Sequence, residues 1–459
     1  MKTKVRQVKR SFSPARLGLL CLLVLALMTS ACSSSRQYKI DLMPAPAVFE
    51  GGEINPLPDG SPPISYDDFR MLYATIRKPS DDPEKRPYYL NEPGFIVRVG
   101  HARVKAAPPG TGWQAMRRIS LAKNRSGEYP LEVLSVHETD VLPRSYSFLT
   151  LSVPETTVSD KSGRKFAELV DERLAASSVK DVYVYVHGFR VTFDLPVLVA
   201  TELWHFLGYR GAFIAYSWPS TPSVFAYLSD MEAAVIMARK LRLFITYLAE
   251  ETQVQKIHII GFSAGSRLVV RALGQLALLK AHATDEQIRK EVRIGNVIII
   301  GGDISRAEFG TTLADDLLRI AERTTIYVSS ADRALVWARR LFRRDRLGQM
   351  LAEDLPPRVA NFLQANPSLQ FVDVTDAAGS TTGNGHSYFR NSPWVSSDLL
   401  VLLASNLSAA ERGLEKEANQ FVYTFPPDYI QRLRKVLAEK HPDWVGAKGN
   451  TVDRRAASD

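Results

Sequence analysis

Cysteine is scarce in this chain, with two copies among 459 residues, Cys21 and Cys32. Cys21 lies in an apolar leader, so a chain that loses the leader keeps one cysteine and cannot form an internal disulfide. No C-x-x-C or H-E-x-x-H pattern occurs and the eight histidines are scattered, so we expect no metal site. G-x-G-x-x-G and phosphate-loop patterns are missing too, so we expect no cofactor.

Long apolar runs are absent beyond the N-terminus. The run LGLLCLLVLALM, from Leu17 to Met28, has about a dozen residues, whereas a helix needs roughly 20 to cross a bilayer. Basic residues precede this run and small residues follow it, which predicts a signal peptide over residues 1–31. A permanent membrane-spanning anchor is the alternative, and the shortness of the run disfavours it.

Cys32 directly follows small residues and resembles the modified cysteine of a bacterial lipobox. Lipoprotein signals usually carry Leu three positions before that cysteine, whereas Thr29 stands there in this chain. We expect lipidation of Cys32, with ordinary cleavage nearby as the alternative. The resemblance to lipoproteins with Ser after the cysteine, here Ser33, implies a protein of the cell envelope that faces the periplasm, sorted to the outer rather than the inner membrane.

The net charge of +9 belongs mostly to the leader. Residues 1–31 contain no acidic residue and carry six of these charges, on Lys2, Lys4, Arg6, Lys9, Arg10 and Arg16. The rest of the chain therefore has a net charge of +3. The run RRLFRRDR at 339–346 predicts a solvated helix face, with contact to anionic headgroups or nucleic acid as the alternatives. Aromatic residues are not interleaved along basic stretches, so we expect no nucleic-acid partner.

An α/β core is predicted over residues 166–410. Short β-rich runs alternate there with segments of helical periodicity, which indicates βαβ units and a mostly parallel, doubly wound sheet with helices on both faces. The helical pattern is clearest over 228–251 and again from Ala264. The predicted strands lie at 182–186, 213–216, 257–260, 297–300, 325–328 and 371–374.

The flanks of this core have different compositions. Residues 32–65 are rich in Pro and Gly and predict a tether. Residues 66–165 predict a small β-rich N-terminal region, which either extends the sheet at one edge or stands apart from it. Residues 411–459 predict a helical extension to Val436 and then a polar tail. The strand-like segments of the β-rich region lie at 69–77, 95–104 and 146–153.

The predicted strand at 257–260 runs into Gly-Phe-Ser-Ala-Gly, with Ser263 at its centre. A bare G-x-S-x-G occurs by chance in roughly one chain in six of this length, so the motif needs support from the rest of the chain. Other predicted strands lead to His187, Asp332 and His386. Ligands and reactive groups collect at the carboxyl ends of parallel strands, and the order serine, acid, histidine is that of the α/β-hydrolases.

These residue types predict an acyl-transfer site. Ser263 would act as nucleophile, His386 as general base, and Asp332 as the acid that orients the imidazole. The backbone N–H groups of Phe189 and Ala264 would form the oxyanion hole.

Each assignment has an alternative. Ser263 could be a plain turn serine and His386 a solvent-exposed loop histidine. Asp303, in IIIGGDISRAEF, also follows a strand and is a rival acid. The alternative role for Asp332 is a surface ion pair with the adjacent Arg333. His187 belongs to the turn that carries Phe189, so it is predicted to position that turn rather than to act as a base.

The chain resembles a bacterial α/β-hydrolase family of unknown function, the DUF900 group, whose members resemble lipases and esterases. The matching pieces run in order from Leu72 to Asp398: LYATIR, RVGHARV, VHGFRVTF, AYSWPS, GFSAGS, SSADRAL and GHSYF. The resemblance implies an α/β-hydrolase fold.

Together these patterns predict an envelope-anchored serine hydrolase. Its substrate would be a small-molecule or lipid-like ester or thioester, or an amide, and a lipid anchor would hold it to the membrane. The alternative is a non-catalytic binding module of the cell envelope with the same fold.

Overall fold

The structure of the protein is a computed structural model. The structure describes residues 38–57, 59–60, 69–106, 110–122, 125, 127–146, 162–220, 227–350, 356–416 and 421–446, and for residues 227–235 it describes the backbone alone.

One sheet of eleven strands runs through the described residues. Its order is β1-β4-β3-β2-β6-β5-β7-β8-β9-β10-β11. The pairs from β2–β6 to β10–β11 are parallel, and β2–β3, β3–β4 and β4–β1 are antiparallel. The strands are β1 (Lys39–Asp41), β2 (Phe69–Pro79), β3 (Tyr89–Lys105), β4 (Pro130–Leu142), β5 (Asp181–Val186), β6 (Ala212–Ser217), β7 (Lys256–Phe262), β8 (Ile294–Ile300), β9 (Ala321–Val328), β10 (Leu369–Asp373) and β11 (Val422–Tyr423).

Helices cover both faces of this sheet. The helices are α1 (Trp113–Leu121), α2 (Arg164–Ala176), α3 (Asp194–Phe206), α4 (Tyr227–Glu251), α5 (Gly265–Leu279), α6 (Asp285–Val292), α7 (Arg306–Ala314), α8 (Arg333–Phe342), α9 (Pro357–Ala365), α10 (Tyr388–Asn391), α11 (Pro393–Ser405) and α12 (Tyr429–Lys440). Helices α3, α11 and α12 share one hydrophobic core, and α2, α4, α5, α6 and α7 share the other. None of the helices in the described ranges is long and apolar enough to span a bilayer.

The central strands are apolar throughout because both of their faces are covered. In β5, Tyr183 and Tyr185 point into one core, while Val182, Val184 and Val186 point into the other. All six strands predicted in the α/β core are present, and the sheet among them is parallel, as expected.

The N-terminal β-rich segments extend the same sheet. The segments predicted at 69–77 and 95–104 form β2 and β3, and β2 pairs with β6 of the parallel part. A separate β-rich region is therefore wrong for these two segments. Strand β4, which continues the sheet beyond β3, was not predicted from the sequence. Residues 147–153 of the third predicted segment lie outside the described residues.

The structure corrects the predicted tether over residues 38–57. Strand β1 pairs with β4, and Leu42, Met43, Val48 and Phe49 are buried in the core beside α11 and α12. The segment packs because these few apolar side chains fill the core, and the surrounding Pro and Gly residues masked that signal.

The C-terminal extension is likewise part of the fold. Within it, β11 adds to the far edge of the sheet beside β10, and α12 extends to Lys440. The predicted helix up to Val436 is therefore wrong over the described residues 411–416 and 421–428. Trp444 is buried, and Val445 forms a bridge with Ile54 near the other end of the chain. Residues 447–459 lie outside the described residues.

Candidate active site

Ser263 lies in the tight turn between β7 and α5. Its φ of 52° is in the left-handed region, which non-glycine residues seldom adopt and which is typical of a nucleophile elbow. The Ser263 N–H donates to the Ile300 carbonyl at 2.9 Å. The Ser263 carbonyl accepts from the Ser266 hydroxyl at 2.6 Å and from the Asp303 N–H at 3.2 Å. These three bonds hold the turn in its strained conformation.

Two glycines allow the ends of β5 and β7 to approach each other closely. A Cβ atom on Gly265 would lie 2.3 Å from the His187 carbonyl oxygen, and one on Gly188 would lie 2.8 Å from the Ser263 Cβ. Both distances are shorter than van der Waals contact, so a larger residue at either position would push the turns apart. Packing therefore requires glycine at Gly265 of the G-x-S-x-G motif and at Gly188.

His386 lies between Ser263 and Asp332. Its Nε2 is 2.8 Å from the Ser263 Oγ, and its Nδ1 is 2.6 Å from the Asp332 Oδ2. Asp332 is fully buried, and its Oδ1 accepts the Leu335 N–H at 3.1 Å at the start of α8. Because a carboxylate only accepts hydrogen bonds, the proton sits on Nδ1 and leaves Nε2 to accept from the serine hydroxyl.

The loop that carries His386 rests on a buried tyrosine. The Tyr388 hydroxyl accepts the Gly301 N–H at 2.6 Å and donates to the Tyr327 carbonyl at 3.1 Å. Burial, reinforced by the Asp332 charge, raises the pKa of Tyr388 well above its usual value, so the hydroxyl stays protonated. Gly301 lies against the imidazole, where an added Cβ would be 3.2 Å from the His386 Cε1.

Phe262 flanks the imidazole, with 4.9 Å between the Phe262 and His386 ring centroids. Sequence reasoning assigned no role to Phe262, Tyr388 or Gly301. The only available signal was that each stands within two residues of a predicted site residue or directly after a strand.

His187 is buried and holds the neighbouring turn. Its Nδ1–H donates to the Gly188 carbonyl at 2.7 Å, and its Nε2 accepts the Trp218 backbone N–H at 3.1 Å. Burial, together with the nearby Arg77 charge, lowers the pKa of His187 well below its usual value, so the ring is neutral. The structure thus places His187 against the backbone, as expected of a positioning residue.

The two predicted oxyanion donors belong to turns that meet at Ser263. Ala264 is buried directly before α5, and its N–H donates to no protein acceptor within the described chain. Phe189 follows Gly188, whose Cα lies against the Ser263 side chain. The structure therefore places both residues in the turns beside Ser263.

Asp303 occupies a different environment from Asp332. Its Oδ1 lies 3.3 Å from the Arg267 Nη2 and 3.3 Å from the Arg346 Nε, and both arginines are buried. Asp303 makes no hydrogen bond to His386, so the structure brings the histidine together with Asp332. It also corrects one detail of the basic run: Arg346 is buried in an ion pair, whereas the arginines from 339 to 344 are exposed.

No group of three or more His, Cys, Asp or Glu side chains in the described ranges could hold a metal ion.

In comparisons with known proteins, no curated protein matches the chain. The family described as alpha/beta hydrolase of unknown function matches residues 163–404, a little over half of the chain, and this range contains Ser263, Asp332 and His386. The chain belongs to that family, DUF900.

Proposed function

We propose that this protein is a serine hydrolase that cleaves a carboxylic ester or thioester through an acyl-serine intermediate. Membership of an alpha/beta hydrolase family suggests hydrolase activity in general. The observation that supports the finer proposal is the continuous hydrogen-bonded chain from the Ser263 Oγ through His386 to the Asp332 carboxylate, at 2.8 and 2.6 Å.

Acylation would begin with proton transfer. As the Ser263 oxygen attacks the substrate carbonyl carbon, its proton moves to the His386 Nε2, and Asp332 stabilises the imidazolium that forms. The carbonyl oxygen becomes an oxyanion, for which the N–H groups of Ala264 and Phe189 are the donors in this proposal. The carbon–oxygen or carbon–sulfur bond then breaks, and His386 returns the proton to the departing alcohol or thiol.

Deacylation would repeat these steps with water. His386 takes a proton from a water molecule, the resulting hydroxide attacks the acyl carbon, and the bond to the Ser263 oxygen breaks as that oxygen recovers its proton. The products are a carboxylic acid and free enzyme. Nucleophilic catalysis in this way replaces one difficult displacement with two easier covalent steps, each assisted by His386 as the base.

A fluorophosphonate probe tests this proposal without knowledge of the substrate, because only a base-activated serine reacts readily with it. We expect the probe to label the protein at Ser263, and Ser263→Ala to abolish labelling. Ser330→Ala is the matched control, since that exposed serine also follows a strand but its hydroxyl lies 3.3 Å from the Thr375 hydroxyl. Labelling that persists in Ser263→Ala, or no labelling of folded protein, would favour the non-catalytic binding module.

We also propose that Cys32 is lipidated and anchors the domain to the envelope membrane. The described fold begins at Tyr38, so six peptide units separate the anchor from the domain. At 3.3–3.6 Å per residue they span at most about 20 Å, which would keep the domain close to the bilayer. Several acyl chains on one cysteine would make the attachment stable to salt washing.

Metabolic labelling with a clickable fatty acid tests the anchor. We expect the wild type to carry the label and Cys32→Ser to lose it and move to the soluble fraction. Cys21→Ser, which changes the other cysteine within the leader, should keep the label. An unlabelled wild type would indicate ordinary secretion or an uncleaved anchor instead.

A further inference from the structure

Helix α8 begins at the candidate active site and turns an apolar pair of side chains to solvent. Trp337 is 64% exposed and Leu341 is 65% exposed. Residues four apart lie on one face of a helix, so the two side chains are neighbours. The opposite face carries Leu335, which is buried, and Phe342, whose ring lies 4.7 Å from the Arg346 guanidinium. The core therefore takes one face of α8 and leaves the other uncovered.

Trp337 differs from the other tryptophans of the chain. Single exposed apolar residues are ordinary on protein surfaces, but an exposed tryptophan beside an exposed leucine is less so. Of the six tryptophans, all of them within the described residues, only Trp337 is exposed: Trp113, Trp204, Trp218 and Trp444 are buried, and Trp394 is half-buried.

Exposed arginines surround this apolar pair. Arg333 and Arg340 lie four residues before and three residues after Trp337, so they share its face. Beside them, an open concavity is lined by Arg306, Arg339, Arg340, Arg343 and Arg344, together with Ser305, Ala307 and Asp345. Asp345 is the one acid of that lining, and its carboxylate lies 4.0 Å from the Arg339 guanidinium. The surface is therefore strongly cationic around an apolar centre.

We propose that this face of α8, defined by Trp337, Leu341 and the surrounding arginines, docks on an anionic lipid bilayer. Tryptophan and leucine side chains partition into the boundary between headgroups and acyl chains, and arginines beside them pair with lipid phosphates. A second copy of the chain fits worse, because a twofold contact through this face would bring two arginine clusters together. Nucleic acid would account for the arginines but not for the exposed leucine.

Docking in this way would bring the candidate active site to the membrane. Asp332 caps the N-terminus of α8, and Trp337 follows it by five residues, or about 7.5 Å along the helix axis. If the proposed hydrolase function holds, its substrate class would be esters that reside in the bilayer or leave it, and this consequence rests on that function. The docking itself does not depend on catalysis.

Quenching of tryptophan fluorescence by brominated acyl chains tests the docking. The processed chain, residues 32–459 with Cys32→Ser, is used throughout, so that neither the leader nor an acyl anchor holds it to vesicles. With vesicles of brominated phosphatidylcholine and phosphatidylglycerol we expect quenching, which Trp337→Phe removes. Arg340→Gln with Arg344→Gln should weaken vesicle binding about 25-fold, at about fivefold for each arginine. Vesicles without phosphatidylglycerol should bind weakly.

Leu279→Ser is the matched control for Leu341→Ser, because Leu279 is 64% exposed on another helix. Only Leu341→Ser should reduce binding. Quenching of equal depth in Trp337→Phe, equal loss in the two leucine variants, or fluorescence that responds to a single-stranded oligonucleotide and not to vesicles would each overturn the proposal. Fluorophosphonate labelling, measured in parallel without vesicles, separates failure of docking from failure of the hydrolase.

Discussion

Two buried aspartates follow neighbouring strands and have opposite surroundings. Asp303 comes after β8 and faces two buried arginines, whereas Asp332 comes after β9 and accepts a hydrogen bond from His386. The first carboxylate compensates charge inside the protein. The Asp332 carboxylate accepts one hydrogen bond from the backbone at the N-terminus of α8 and another from the His386 imidazole, which is partly exposed. Position at a strand end is thus common to both, and the partners determine what each can do.

The two histidines of the site differ in the same manner. His187 uses both ring nitrogens on backbone groups and is sealed from solvent, while His386 joins a serine to a carboxylate. A neutral, backbone-bound imidazole stabilises a turn. An imidazole between a hydroxyl and a carboxylate can move a proton.

Neutralising each acid in turn should separate the two aspartates by the largest margin. We expect Asp332→Asn to lower ester turnover about 10⁴-fold, because the imidazole loses its orienting acceptor. Asp303→Asn should lower turnover less than about tenfold, since Asp303 contacts the Ser263 turn through its backbone N–H. Steady-state kinetics on a chromogenic ester would measure both. The reverse ranking would transfer the orienting role to Asp303.

The same two variants should rank the other way in stability. Asp303→Asn leaves two buried guanidinium groups without their carboxylate, which should lower the free energy of unfolding by about 3 kcal/mol. Asp332→Asn keeps a good helix cap at the start of α8 and should cost about 1 kcal/mol. Urea unfolding followed by far-ultraviolet circular dichroism compares them. Equal losses would mean that the ion pairs of Asp303 contribute little.

Acid should destabilise the fold through its buried neutral histidines. Burial lowers the pKa of His205 to about 3 and that of His441 to about 4, and it lowers that of His187 well below 6.5. The unfolded chain binds protons that these folded histidines cannot, so stability is lost as the pH falls below about 6.5. His205 and His441 should each cost about 1.4 kcal/mol at about pH 5.5, and His187 should add to this loss.

Replacing single histidines checks this pH effect. Between about pH 7 and about pH 5.5, His441→Gln should lose about 1 kcal/mol less unfolding free energy than the wild type, and His187→Gln should also lose less. His282→Gln, at an exposed position, should follow the wild type. Parallel pH curves for all four proteins would show that His187 and His441 accept protons in the folded state.

Much of this fold could be predicted from the sequence because strongly apolar strands alternate with periodic helices. The six predicted strands of the α/β core each carry β-branched or aromatic residues on both faces, and such strands are the easiest to recognise in a sequence. Strand β4 was not predicted because its positions are of mixed burial and its sequence resembles a polar segment. Strand β11 was not predicted because it has only two residues. The burial of residues 38–57 depends on contacts with α11 and α12, more than 300 positions away, and no local pattern encodes them.

The candidate site could be predicted in part. Residue order along the chain suggested Ser263, Asp332 and His386, and the structure brings these three side chains together. Residue order alone could not distinguish Asp332 from Asp303 as the orienting acid. The partners of Asp303 are distant in sequence, since Arg346 lies 43 positions further along the chain. The supporting contact of Tyr388 with Gly301 is also long-range, and only the folded chain reveals it.

Nuclear magnetic resonance on protein with ¹⁵N-labelled histidine most directly tests whether His386 joins Ser263 to Asp332. A proton shared between an imidazole Nδ1 and a buried carboxylate resonates far downfield and couples to its nitrogen. We predict one such resonance that disappears in Asp332→Asn and His386→Gln and persists in Asp303→Asn and His187→Gln, each first shown to be folded by circular dichroism. A resonance that survives Asp332→Asn, or that vanishes in folded Asp303→Asn alone, would contradict the assignment.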